Sequence, residues 1–159
     1  MKKVSLLLVA LMLSFTLLFL FSCEDKASSS PSSVESVADG EEIPAEGLWK
    51  NATYRKNTTL GQGSKTFTLT VSIEGKSINL TIKTDAQTVG DALQALGVVA
   101  GEESAYGLYI KKVNGVLADY DTDCSYWAFY IGNEYASSGV DTTDIVSGTT
   151  YKLERTVMS

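Results

Sequence analysis

The chain has 159 residues, with 13 Lys and Arg against 19 Asp and Glu and no histidine. The missing histidine removes serine–histidine and cysteine–histidine nucleophile systems and histidine-built zinc sites. The acidic balance, without any cluster of Lys or Arg, excludes nucleic acid as a partner, because phosphate contacts need gathered cations.

Lys2 and Lys3 precede an apolar run from Val4 to Phe21, broken by Ser5, Ser14 and Thr16, and the run ends in Leu20-Phe21-Ser22-Cys23. A charged start, an apolar stretch and a small residue before a cut define a secretory signal peptide over residues 1–22. A run of this length also suits an uncleaved membrane anchor, but a cysteine directly after the small residue fits a lipobox. Cys23 is then the lipidation site, its thiol carrying diacylglycerol and its freed amine a further acyl chain (palmitate or similar), since one chain anchors only marginally. The expectation is a lipoprotein of the cell membrane, on the extracytoplasmic face. Without Lys2 and Lys3 the mature chain carries a net charge of −8.

Residues 23–47 are rich in Ser, Glu, Ala and Gly and read as a flexible tether, too poor in apolar surface to offset ordering entropy. Residues 48–159 form the domain. Leu48–Tyr54 is expected as an edge strand. Phe67, Leu69, Val71 and Ile73, then Ile78, Leu80 and Ile82, alternate with polar residues, which predicts two half-buried strands. A type II′ turn at Gly75-Lys76 would set Ile73 opposite Ile78 and Leu69 opposite Ile82. Over 88–97, Thr88 is an N-cap with Asp91 near the capping-box position, and Val89, Ala92, Leu93 and Leu96 make one apolar stripe of a helix. Strands are expected at 106–113, 126–131 and 150–157, with turns at Asn114-Gly115 and Gly132-Asn133. The fold class is α+β, a β-grasp-like single domain with a mixed sheet and one packed helix.

No catalytic residues and no required cofactor emerge, so the chain is expected not to be an enzyme. Asp119, Asp121 and Asp123 are spaced like the start of a calcium loop, but Cys124 and Tyr130 stand where glycine and glutamate belong; a solvated acidic turn is expected and no metal site. Cys124, unpaired once Cys23 is lipidated, is expected to be buried. Alternation puts Trp127, Phe129 and Ile131 on one face of a strand and Tyr126 and Tyr130 on the other. With Tyr135 and the small residues after it, these aromatics make a candidate small-ligand surface.

The segments TVGDALQALG (88–97), YGLYIKKVNGV (106–116), YWAFYIGNEYASSGVDTTDI (126–145) and SGTTYKLERT (147–156) give residues 64–157 a resemblance to the transcobalamin-like C-terminal domain of Gram-positive lipoproteins. The last two segments resemble the end of animal transcobalamin and intrinsic factor, where such a strand and loop form half of the cobalamin site. The resemblance implies a ligand-binding set of Tyr106, Trp127, Tyr135, Ala136, Ser137, Ser138 and Gly139. It implies cobalamin or another corrinoid as the ligand and a membrane vitamin importer as partner. The animal proteins close over cobalamin with a helical barrel that is not in this sequence, so an open platform of lower affinity is expected. The alternative expectation is a non-catalytic cell-surface module that meets a protein or glycan.

Overall fold

In the computed structural model, residues 35–158 are described, all within one compact unit, Ser32–Ser159. Residues 1–22, Cys23 and the first part of the expected tether lie outside the described residues. Among the described residues no helix is long and apolar enough to cross a membrane.

The elements follow in chain order. They are β1 (Glu35–Ser36), a 3-10 turn (Gly47–Asn51), β2 (Thr58–Gly61), β3 (Lys65–Ile73), β4 (Lys76–Thr84) and α1 (Val89–Ala95). Next come β5 (Val99–Ser104), β6 (Gly107–Val113), β7 (Val116–Leu117), a helical turn (Tyr120–Asp123), β8 (Ser125–Ile131), β9 (Glu134–Tyr135) and β10 (Thr150–Val157). The large mixed sheet runs β1-β4-β3-β10-β8-β9, with β2 also on β4, and a small sheet runs β5-β6-β7. This is the expected α+β architecture. The aliphatics of β3 and β4, Tyr151 and Leu153 of β10, and Trp127 and Phe129 of β8 share one core with α1.

The β3–β4 hairpin forms as expected, but its loop lies one residue earlier. Glu74 and Gly75 take φ of 52° and 76°, the double left-handed geometry of a type I′ turn, whose twist matches that of its strands. Ile73 therefore pairs with Lys76, and Phe67, Leu69 and Val71 pair with Ile82, Leu80 and Ile78. The expected register would have set Phe67 opposite Thr84. The two registers differ by two residues, bury the same face and each make three apolar pairs; the observed one brings Phe67 opposite Ile82 and leaves Ile73 opposite Lys76. Glu74 tolerates its backbone conformation at a turn where its carboxylate also accepts Leu48 N–H at 3.2 Å.

The helix is as read. Thr88 Oγ1 accepts Asp91 N–H at 3.1 Å, Val89, Ala92 and Leu93 are buried, and Gly97 follows with φ 66°. Three local readings change. Leu48–Tyr54 is no strand: Gly47–Asn51 is a 3-10 turn that drops Trp49 into the core, with Nε1 bonded to the Ile73 carbonyl at 3.1 Å. Gly101–Ser104, where the sequence predicts no strand, is the end of β5, paired with β6 across a bulge between Ala100 and Gly101. Part of the expected tether is laid against the domain, with β1 paired to β4 and Ile43 only 2% exposed. Isolated aliphatics suffice there because they fill gaps in an existing core and need not build one.

β1 and β2 cover the outer edge of β4 at Lys76–Ser77 and at Leu80–Lys83. Asn57 closes the space between them: its Oδ1 accepts Asn79 N–H at 2.8 Å and its Nδ2 donates to Asp39 at 2.9 Å. A strand edge covered in this way is closed to pairing with other chains.

The acidic stretch is an exposed turn, as expected, and an ordered one. Asp119 caps it, accepting from Asp121 N–H and Thr122 N–H. Asp123 accepts from the Ser125 hydroxyl and from Arg155, whose Nε also donates to the Leu117 carbonyl at 3.0 Å. Cys124 ends the turn in left-handed backbone and is exposed, not buried. The Ser125 hydroxyl, and after it the Arg155 charge, hold the Asp123 carboxyl below its usual range. A depressed folded-state pKa gives stability that is present above the unfolded value, about 3.9, and lost as pH falls through the folded one. Asp123→Asn should therefore melt lower than the parent near neutral pH. The gap should close as pH drops below about 4 in a thermal-melt series. A gap that stays constant into acid would contradict the assignment.

Candidate functional site

β6 and β8 belong to different sheets and face each other across a cleft of about 190 Å³. Leu108, Tyr109 and Ile110 form one wall, Tyr126, Trp127 and Phe129 the other, and Tyr135, Ala136, Ser138, Gly139 and Val140 close one side. Five residues of the expected ligand-binding set therefore come together: Trp127, Tyr135, Ala136, Ser138 and Gly139. Tyr106 does not join them; it stands at the β5–β6 hairpin tip, 98% exposed. Ser137 is exposed and also outside the lining.

Why adjacent residues Tyr126 and Trp127 both reach the cleft follows from strand geometry. Side chains of neighbouring residues point to opposite faces, so both can border a cleft only if it lies beside the strand edge. Gly132 N–H bonds the Thr150 carbonyl on the β10 side, and the Phe129 carbonyl accepts Ala136 N–H on the β9 side. Alternation then directs the main-chain N–H and C=O of Trp127 away from β10. β9 pairs with β8 only at Tyr130 and Ile131, so no strand covers Trp127 on that edge.

The closing loop is held from behind. Thr143 Oγ1 donates to the Gly139 carbonyl at 2.7 Å, and the Ser138 and Thr143 hydroxyls are 3.0 Å apart. Val89 N–H donates to the Thr143 carbonyl at 2.9 Å, docking the loop on the first turn of α1. Gly90 is required there, since a Cβ would come 2.8 Å from Asp141 Cα. Gly101 plays the same part for the other wall: a Cβ would meet the Tyr109 carbonyl at 2.1 Å. Val140 is buried and fixes the loop's inner side.

The mouth is aromatic. Tyr135 is 62% exposed and its ring meets that of Tyr130 edge-on at 5.3 Å. Partial burial, then the neighbouring Tyr126 and Tyr130 hydroxyls, push its phenol above the usual range, so it stays a neutral donor. Lys111 stands 5.9 Å from the Tyr109 ring centroid. Glu102 first and then Asp119 raise its pKa, and the pair balances its charge. Among the described residues no group of three or more Cys, Asp or Glu is placed to hold a metal ion.

Sequence reasoning placed Tyr126 and Phe129 in the aromatic surface but missed Leu108, Tyr109, Ile110 and Val140. The β6 residues carried a signal, a Leu-Tyr-Ile run in a recognised strand, but nothing local placed that strand beside β8.

With this geometry in hand, the comparisons can be stated. A family model described as a domain of unknown function, DUF4430, matches residues 86–153, which span α1 to β10 and contain the whole cleft. A solved structure from Ruminococcus gnavus ATCC 29149, a candidate metal binding protein, is 28% identical with a TM-score of 0.56, covering 60% of this chain and 100% of that one. The structure of haptocorrin in complex with Cbi is 19% identical with a TM-score of 0.46, covering 63% of this chain and 27% of that one. No curated protein matches the chain.

Proposed function

We propose that the chain is a non-catalytic, lipid-anchored binding protein of the extracytoplasmic face that captures part of a small ligand in the β6–β8 cleft and passes it to a membrane importer. The observation that carries this reading is the cleft itself, where segments far apart in sequence converge on one aromatic, backbone-open pocket. Its ligand class comes from the resemblance to transcobalamin-like domains, with a corrinoid first. A metal-bearing organic ligand would also suit a relative that is a candidate metal binding protein without requiring a metal centre built by the protein.

Size limits the mode of binding. Enclosing ligand pockets run to roughly 300–1,000 Å³, and about 190 Å³ is below that. The cleft therefore grips one edge of a corrinoid, with the remainder over the exposed rings of Tyr109 and Tyr135. Cyanocobalamin titrated into the full chain in detergent, followed by tryptophan fluorescence and calorimetry, tests the reading. Trp127→Ala and Tyr135→Ala should each weaken binding by roughly tenfold or more. Absence of binding up to roughly 1 mM, where a site worth about 4 kcal/mol half-fills, would rule out the corrinoid.

The uncovered main-chain edge at Trp127 favours a second reading, a module that meets an extended segment of a protein partner by strand addition. Inertness to cyanocobalamin, together with protection of Trp127 N–H from exchange by a peptide partner, would select it.

A further inference from the structure

Large apolar residues scattered singly over a surface need no explanation, but four of them gather at one end of the large sheet. β3 ends there at Ile73 and β4 begins there at Lys76. β10 runs parallel to β3 and antiparallel to β8, so Val157 and Ser125 lie at the same end. Met158 N–H donates to the Cys124 carbonyl at 2.9 Å, and Cys124 N–H donates to the Tyr120 carbonyl at 3.1 Å. Arg155 Nε reaches the Leu117 carbonyl at 3.0 Å. Leu117, Tyr120, Val157 and Met158 are thus linked through short main-chain connections, and each is more than half exposed. The chain also enters the sheet at this end, since β1 is parallel to β4 with Glu35 opposite Lys76. Cys23 precedes Glu35 by twelve positions, a separation that extended chain bridges over at most about 43 Å.

We infer that this end is a membrane-resting face, at which Leu117, Tyr120, Val157 and Met158 settle into the interfacial layer of the bilayer that holds the Cys23 lipid. The inference rests on the lipid-anchored reading and adds to it the attitude of the domain. Such a contact needs no spanning segment, only apolar side chains that enter the headgroup boundary. The short connection to Cys23 makes it effective, because an anchored face meets the bilayer at high local concentration. Charge selects the kind of bilayer. Glu46, Glu74 and Asp121 outnumber Lys50 and Lys76 at this end, and Asp123 is paired with Arg155. A zwitterionic surface therefore suits the face, and an anionic one repels it. Tyr135, paired with Tyr130 toward the other end of β8, is then held away from the bilayer, and the aromatic mouth of the cleft stays open to solution.

Cys124 is exposed and lies within this face, so it can carry the probe. With the Cys23 thiol taken up by lipid, a thiol-reactive fluorophore should enter the full chain at one label, on Cys124. In phosphatidylcholine vesicles that label should lose fluorescence to nitroxide carried on lipid headgroups. The same label on Asn133→Cys, in a Cys124→Ser background, should not. β8 spans seven residues, which sets Asn133 roughly 20 Å from this end. Leu117→Ser together with Val157→Ser, both at exposed positions, should leave the thermal melt in place and bring quenching at Cys124 down to that at Asn133. Phosphatidylglycerol replacing part of the phosphatidylcholine should weaken quenching at Cys124. Equal quenching at the two ends, quenching that survives both serine changes, or a gain with phosphatidylglycerol would overturn the inference and leave the anchor standing. Two labels per chain, or failure of the chain to float with vesicles, would overturn the anchor and the membrane face with it.

Discussion

Trp49→Ala should lower the free energy of unfolding by about 3–5 kcal/mol, the range for deleting a large buried aromatic side chain. Trp49 is 2% exposed and belongs to the main core. It arrives there on a five-residue 3-10 turn, Gly47–Asn51, rather than on a strand. The indole also donates to the Ile73 carbonyl at the end of β3. Trp49→Phe keeps most of the ring volume and loses that bond, so its cost should fall to about 1–2 kcal/mol. Urea unfolding of both variants, compared at equal m-value, checks the pair. Equal losses would mean that the hydrogen bond and not the packing holds the segment.

The second large effect is expected at Asn114. The residue is 1% exposed, with φ of 51°. Its side chain binds Tyr54 on both sides, accepting from Tyr54 N–H at 2.8 Å and donating to the Tyr54 carbonyl at 2.8 Å. Its own carbonyl takes Thr53 N–H at 2.8 Å, and its N–H reaches the Val98 carbonyl at 2.7 Å. The β6–β7 turn thus pins the segment after Trp49 to the small sheet. Asn114→Ala removes both side-chain bonds, strands two main-chain groups of Tyr54 and puts alanine in left-handed backbone. A loss of about 2–4 kcal/mol is expected from unsatisfied buried groups of this kind. Asn114→Gly relieves the backbone but not the bonds, so it should recover only part. Full recovery by glycine would show that conformation, not bonding, selects asparagine here.

These two residues mark where sequence reading stops. Asn114-Gly115 is legible as a turn, because Asn and Gly are the residues that accept positive φ at both central positions. The partner of Asn114 sixty positions earlier is not legible, since nothing in a local pattern carries that pairing. Trp49 is legible as core material, but a lone aromatic among polar neighbours does not distinguish a strand from a short turn.

For the candidate site the division is similar. Trp127, Tyr135, Ala136, Ser138 and Gly139 were reached from one strand, one loop and a family resemblance, and they do line one cleft. Tyr106 enters only through the resemblance, and a two-residue hairpin loop turns it outward. The opposite wall, Leu108 to Ile110, enters because β6 belongs to a second sheet that stops beside β8. Asp141 reads as an ordinary loop acid until Gly90, Gly107 and Gly139 are seen to crowd around it.

By itself the sequence determined the periodic elements, the β3–β4 and β6–β7 hairpins, the capped helix and the last strand. In these, side chains at fixed short spacings decide which face is buried. The expectation of a lipobox at Cys23 rests on the same kind of local pattern. The tertiary structure alone decided the exact β3–β4 register, where left-handed backbone at Glu74 and Gly75 sets the turn one position earlier. It alone decided the docking of residues 35–51, the exposure of Cys124 and the meeting of two sheet edges. Each of those depends on contacts between segments far apart in the chain, whose energies no short stretch of sequence contains.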